Sequence, residues 1–483
     1  MALMVERINS EFNGEFTFQK KAYSVPFALP GDLVHFRLQR RGRKRKIRTE
    51  KIERASSYPP ELELTEPFCP YFGRCGGCRG QRLSYETQLR LKAGPVQEAM
   101  KSDYGVDPLL IPAPSPSGYR NRMDFVVEGN ILGLRPAGEY ASFVDIETCA
   151  LQKEPANRAL KICRGILARN PGAGFQRESA PEKREGKDQS RTEPEPTPAS
   201  GPLKYVTIRS GADSGVVILT WVAELDNDAY RKFRDELVLE LPPEFSLIQT
   251  SVAVSQEVSA GPGGTVIRGR DSYREMLGKI AFETPYDAFF QPNPPAFDLL
   301  LDWALARWRE IPPGEPEQGG SKRNALTDLY SGAGTLSAVF ARESADRVQV
   351  VRGYEFTASA QKTAQENLSF FSGAVEFFTA DLNKPDPELL GEDIALLLID
   401  PPRAGMSPGL IKMFRREARR EKESGVKSER LPPWILYVSC NPKTQLRDLT
   451  ELSESYEVVS ACIVDCYAQT PHLEQAVFLR RRQ

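Results

Sequence analysis

The stretch Leu326-Thr-Asp-Leu-Tyr-Ser-Gly-Ala-Gly-Thr335 decides the fold class of this chain. An apolar run of strand length meets a glycine loop, and the loop opens onto a helical pattern over 336–343. Downstream, strand-like runs over 348–354, 375–378, 394–399 and 435–439 are separated by helical stretches such as 357–368. Strands that alternate with helices build a parallel sheet with crossover helices. The expectation is a doubly wound, Rossmann-like α/β domain over 286–483.

In open α/β sheets, ligands bind beyond the carboxyl ends of the strands. Gly332 and Gly334 lack the β-carbons that would block a ligand at the backbone. Glu355 closes the next strand about twenty residues on, where an acid binds ribose hydroxyls. Asp381 closes the third strand and is placed to bond an adenine amino group. Asp400 closes the fourth, inside Asp400-Pro-Pro-Arg403. The third glycine of a dinucleotide fingerprint is missing, which favours a small nucleoside cofactor over NAD.

The fifth strand ends at Ser439-Cys440-Asn441-Pro442. Its position singles out Cys440 as a candidate nucleophile, whereas Cys163 and Cys462 read as small apolar core residues. A free thiol titrates near ~8.5, so a nucleophile here needs polarising surroundings. Before a final strand over 476–479 comes Gln469-Thr-Pro-His-Leu-Glu474. Glu474 is a candidate base, His472 competes with it, and an ordinary turn is the bland alternative.

Upstream, Cys69, Cys75 and Cys78 have the pattern C-x5-C-x2-C, with Cys149 far downstream. Gly76 and Gly77 let the backbone wrap closely, and four thiolates suit zinc or an iron–sulfur cluster. The spacing is not that of a zinc ribbon, which tilts the choice toward iron–sulfur. A helix is expected over 84–101, weakened by Pro95. Short β-like runs at 16–18 and 33–38, with turns at Asn13-Gly14 and Pro30-Gly31-Asp32, predict a small β-barrel over 1–57. A β-rich central domain over 58–285 would then hold the cysteines. Arg40, Arg41, Arg43, Lys44, Arg45, Lys46 and Arg48 form either a phosphate-binding patch or a solvated loop. Residues 176–201 are nearly devoid of apolar side chains and read as a disordered insertion.

A length of 483 residues calls for several domains, and 40% hydrophobic with 27% charged residues is globular composition. The net charge of −1 does not announce a polyanion partner. No apolar run approaches the ~20 residues of a membrane helix, and the first twenty show no secretory h-region. Eight cysteines in a chain this long do not make a disulfide scaffold. A cytoplasmic protein with no membrane and no evident obligate protein partner is expected.

Taken in order, eight segments carry a resemblance. They are 24–32 (Ser-Val-Pro-Phe-Ala-Leu-Pro-Gly-Asp), Cys75-Gly-Gly-Cys78 with Cys149, Tyr119-Arg-Asn-Arg122, Phe289-Phe-Gln-Pro-Asn293, Asp328-Leu-Tyr-Ser-Gly332, Asp400-Pro-Pro-Arg403, Ser439-Cys-Asn-Pro442 and His472-Leu-Glu474. Over nearly its whole length the chain resembles the uracil-5 RNA methyltransferases, specifically their iron–sulfur branch acting on 23S rRNA. The resemblance implies a C-terminal S-adenosyl-L-methionine-dependent methyltransferase domain and an N-terminal TRAM-like domain. It implies a [4Fe–4S] cluster on Cys69, Cys75, Cys78 and Cys149. Gln291, Tyr330, Thr335, Glu355, Asp381 and Asp400 would line the S-adenosylmethionine site. Cys440 would add to C6 of the uracil and Glu474 would remove the proton from C5. RNA is the implied partner, 23S rRNA first and tRNA as the alternative, with a non-catalytic RNA-binding factor as the rival class. Ser331 departs from a usual cysteine, and the 176–201 insertion is unusual. Asp400-Pro-Pro-Arg403 lacks the second cysteine of cytosine-5 enzymes, and Arg403 stands where enzymes methylating exocyclic amines carry an aromatic.

Overall fold

Apolar runs buried on both faces build the sheet that carries the functional cleft. The computed structural model describes all residues except 42–43, 139–141, 178–199, 262, 313–322 and 483. The eight strands of this sheet are β1 (Leu109–Ile111), β2 (Ala325–Leu329), β3 (Val350–Glu355), β4 (Ala374–Thr379), β5 (Ile394–Ile399), β6 (Trp434–Ser439), β7 (Tyr456–Val464) and β8 (Glu474–Arg481). Their order is β4-β3-β2-β5-β6-β8-β7-β1. Strands β4, β3, β2, β5 and β6 are parallel, as expected for a doubly wound domain. In β5 only Ala395 escapes full burial, which is the signature of a central parallel strand. Strand β8 runs antiparallel to both its neighbours.

Three features depart from the domain reading. Strand β1 comes from residues 109–111 yet pairs in parallel with β7. The hairpin Ser272–Leu277 and Ile280–Pro285 places Leu277, Ile280 and Phe282 in the same buried cluster as Phe297, Leu300 and Val339. A boundary at 285 therefore cuts a packed unit, because apolar contact and not sequence distance defines it. The final strand begins at Glu474, not 476, so Glu474 sits in the sheet rather than in a turn.

The helix Tyr85–Tyr104 continues through Pro95. Proline removes one backbone bond, but the helix buries Leu89, Ala93 and Met100, and its ends are capped. Ser84 Oγ accepts from Thr87 N, and Gly105 closes the helix at φ +69°. Met100 joins Leu329 and Ile399 in one core, so this helix packs on the C-terminal sheet.

The central region is a seven-stranded mixed sheet backed by the helices Glu154–Arg169 and Asp228–Glu240. Phe125, Val206, Val217 and Phe245 meet Leu160, Cys163 and Leu167 in its core. The N-terminal six strands form two three-stranded sheets around Val5, Phe16, Val25, Val34 and Phe36, where the pattern suggested one small barrel. Of the basic run, Arg43 and the side chains of Arg40, Arg41, Lys44 and Arg45 lie outside the described residues, while Lys46 and Arg48 stand on the strand Lys44–Glu53. Residues 178–199 of the suggested insertion also lie outside them. Among the described residues no helix is long and apolar enough to cross a membrane.

Candidate active site

A cleft of about 1820 Å3 opens at the carboxyl ends of β2 to β6, and Gln291, Tyr330, Thr335, Glu355, Asp381, Asp400, Cys440 and Glu474 all line it. The facing wall comes from elsewhere in the chain: Ser10 and Glu11 from the N-terminal unit, Gly77, Arg79, Arg120 and Arg122 from the central region.

The glycine loop is bent by three positive φ angles, Tyr330 at +64°, Gly332 at +53° and Gly334 at +72°. The two glycines do different jobs. A β-carbon on Gly332 would meet nothing within 4 Å, so that backbone stays open to a ligand. One on Gly334 would lie 2.9 Å from Ala364 Cβ, so that glycine serves helix packing and not ligand access. Glu355 Oε2 accepts from Gly332 N at 3.1 Å and its Oε1 from Thr357 N at 2.9 Å, which locks the carboxylate at the cleft. Asp381 lies exposed at the rim, where the backbone and side-chain amides of Asn383 lower its pKa. Asp328 is a site residue that strand-end reading missed. It is buried in β2, takes the Ser337 hydroxyl at 2.6 Å, and burial pushes its carboxyl up to about 7. Its signal was present in the sequence as an acid inside an apolar strand. Asp328 Oδ1 and Ser331 Oγ are buried atoms in the cleft wall with no hydrogen-bond partner.

Strand direction brings the two candidate reactive groups together. Ser439 of β6 pairs with Gln475 of antiparallel β8, so one step outward Cys440 comes opposite Glu474. Asp400 lies between the two halves of the cleft, 3.4 Å from Gln291 Nε2. Burial, and then the charge of Asp328, pushes the Asp400 carboxyl up to about 7. Burial, then Glu474 and Asp400, pushes the Cys440 thiol up to about 11, while Arg403 pulls the other way. Glu474 is fully buried, its Oε2 has no partner, and burial followed by Asp400 raises its pKa well above the usual carboxylate range. His472 goes the opposite way. Burial, then Arg403, Lys92, Arg79 and Arg120, depresses it to about 4, so it stays neutral near pH 7.

The four cluster cysteines line one small cavity of about 30 Å3 with Tyr71, Phe72, Met123, Leu134, Ile146 and Leu151. Burial raises Cys75 to about 11 and Cys78 to about 12, and the charges of the neighbouring cysteines add to both. Cys149 is raised too, by burial first. Among the described residues no group of three or more His, Cys, Asp or Glu is disposed to hold a metal ion. The four thiols share that pocket.

Residues 270–482 match the model of the family described as tRNA (uracil-5-)-methyltransferase. An RNA methyltransferase of Leptospira interrogans is 30% identical over 492 residues, covering 99% of this chain and 96% of that one. A 23S rRNA (uracil(747)-C(5))-methyltransferase of Pyrococcus abyssi is 28% identical over 95% of both chains. The crystal structure of the Pyrococcus abyssi tRNA (uracil-54, C5)-methyltransferase in complex with S-adenosyl-L-homocysteine shares the fold, with a TM-score of 0.68 at 22% identity over 99% of this chain and 100% of that one. On the family match over 270–482 and 30% identity across nearly the whole chain, this chain belongs to the RNA uracil-5-methyltransferase family.

Proposed function

We propose that the protein methylates C5 of a uracil in RNA from S-adenosyl-L-methionine, with Cys440 as covalent nucleophile and Glu474 as base. The register that sets Cys440 opposite Glu474 in the same cleft as the glycine loop carries this reading.

The cleft suits S-adenosylmethionine. The open backbone at Gly332, the partnerless Asp328 Oδ1 and Ser331 Oγ, and the locked Glu355 carboxylate are unmet hydrogen-bonding capacity beside a polar ligand. Gln291, Tyr330, Thr335, Glu355, Asp381 and Asp400 would hold it. When bound, it supplies an electrophilic methyl group and a positive charge at its sulfur. Such a charge favours the ionised forms of Asp400, Cys440 and Glu474, all of which the protein's own groups hold toward protonation.

Cys440 as thiolate, supported by Arg403, forms a bond to uracil C6 and makes C5 nucleophilic. Once C5 carries the methyl group, Glu474 takes the remaining C5 proton. The C6–S bond then breaks, Cys440 leaves as thiolate, and 5-methyluracil is released. His472, neutral at working pH, offers a hydrogen bond and no charge. The target base reaches this cleft only out of its stack, so base flipping is required.

The four cysteines fit an iron–sulfur cluster. Four thiols around one cavity supply the four thiolate ligands that such a centre takes. The TRAM-like N-terminal unit and the arginines of the facing wall would grip the RNA backbone. By the family resemblance 23S rRNA is the first candidate substrate and tRNA the alternative, and enzymes named for each are among the relatives.

Mass spectrometry of the protein incubated with S-adenosylmethionine and RNA containing 5-fluorouracil tests the reading. Fluorine blocks proton removal, so the expected result is a covalent RNA adduct on the peptide bearing Cys440. Absence of an adduct with both ribosomal and transfer RNA would overturn it.

A further inference from the structure

A buried lysine is devoted to the loop that delivers Glu474. Lys92 lies on the helix Tyr85–Tyr104, and the side chains of Lys92 and Asp465 are both 0% exposed. An ammonium has three N–H donors. All three go to one loop: Asp465 Oδ1 at 2.6 Å, the Thr470 carbonyl at 3.2 Å and the His472 carbonyl at 3.4 Å. Asp465 spreads the tie further. Its Oδ1 also accepts from Tyr467 N at 3.1 Å, and its Oδ2 accepts from the Tyr85 hydroxyl at 2.9 Å. That hydroxyl accepts in turn from Ala113 N at 2.7 Å. The loop, residues 465–473, joins β7 to β8, and the next residue is Glu474. Gln88, on the same helix, adds a bond from its Nε2 to Gln469 Oε1 at 3.0 Å, at a residue held at φ +69°.

A buried ion pair contributes little net stability, because desolvation offsets its attraction. What this one does is choose one backbone path for a loop. We propose that Lys92 and Asp465 are positioning residues for proton removal from C5, holding the loop so that Glu474 enters the cleft at the correct place. The inference rests on the reading of Glu474 as base. Cys440 is anchored independently: its neighbour Asn441 donates from its backbone N to Ser439 Oγ and from Nδ2 to the Arg403 carbonyl. The placement of Cys440 therefore does not rest on Lys92 and Asp465, although Tyr467, Thr470 and His472 of the loop also line the cleft, whereas the placement of Glu474 does. Loosening the loop should stall the reaction at the methylated covalent adduct, even on ordinary uracil.

The experiment compares wild type, Glu474→Gln, Lys92→Met and the double variant Lys92→Met/Asp465→Asn with S-adenosylmethionine and unsubstituted RNA. Adduct is read on denaturing gels and by mass spectrometry, beside turnover and thermal melts. The double variant leaves no unpaired buried charge, and Tyr85→Phe supplies a milder third point. Expected is adduct accumulation in Glu474→Gln and in the Lys92 variants, with turnover lowered about 100-fold by a misplaced base and KM for RNA little changed. A folded double variant that turns over at the wild-type rate, or slows without accumulating adduct, overturns the inference while Glu474→Gln still accumulates it. If Glu474→Gln itself accumulates none, the base reading fails first and the inference falls with it.

Discussion

Gln291 Nε2 lies 3.4 Å from Asp400 Oδ2, which ties the loop before the helix Pro294–Glu310 to the end of β5. The bond joins a residue of the facing segment to a carboxyl that burial holds near 7.

Asp400→Asn should make the protein more stable at pH 8 and less able to bind S-adenosylmethionine. With a carboxyl raised from 3.8 to about 7, the folded chain binds more protons than the unfolded chain between those values. Its stability therefore falls as pH rises through that window, and the asparagine removes this contribution. Melting curves at pH 4.5 and 8 should show a smaller loss for the variant. Calorimetry should show cofactor affinity down about 10-fold or more, the value of a lost hydrogen bond to a charge.

Cys440 should alkylate slowly at neutral pH and faster with each step toward its value of about 11. Iodoacetamide labelling followed by peptide mass spectrometry reads this directly, and a cofactor cation should accelerate it. A plateau below pH 8 would contradict the burial and acid neighbours seen here. Cys440→Ala should lower methylation by ~10³-fold or more.

Gly334→Ala and Gly332→Ala should separate packing from binding. The first places a β-carbon 2.9 Å from Ala364 Cβ and should cost about 1–3 kcal/mol of stability. The second meets no neighbour and should cost about 1 kcal/mol for its positive φ, yet weaken S-adenosylmethionine binding. Denaturant melts and calorimetry on both variants check the split.

Serine at Cys69, Cys75, Cys78 or Cys149 should abolish bound iron and its visible absorbance in anaerobically prepared protein. Serine at Cys163 or Cys462, both fully buried in apolar cores, should leave them unchanged. Iron retained at one atom per chain with any single substitution would point to a different centre.

Arg79, Arg120 and Arg403 line the cleft, and the charge of each reaches His472. Replacing any one by glutamine should weaken RNA binding across sequences and reduce the slope of log affinity against log salt by about 1. Filter binding between 50 and 200 mM salt, on the order of the usual range, measures it.

The sequence by itself determined the doubly wound strands β2 to β6, the glycine loop and the acids at the strand ends. Those signals are local: apolar period, turn residues, and a carboxylate at or within two residues of the end of a run. It also exposed Cys440 and Glu474 as chemical candidates, paired in one reaction by the family resemblance, though not how the fold brings them face to face. That juxtaposition follows from β8 running against its neighbours, which puts the start of one strand beside the end of another. Tertiary structure alone likewise recruited β1 into the sheet, packed the Ser272–Pro285 hairpin into the C-terminal core, and joined Lys92 to Asp465 across 373 residues. The pKa directions that divide Cys440, Glu474 and Asp400 from His472 came from burial and charge at close range. Desolvation and packing depend on which surfaces meet, and residues far apart in the chain carry no local pattern that says which will.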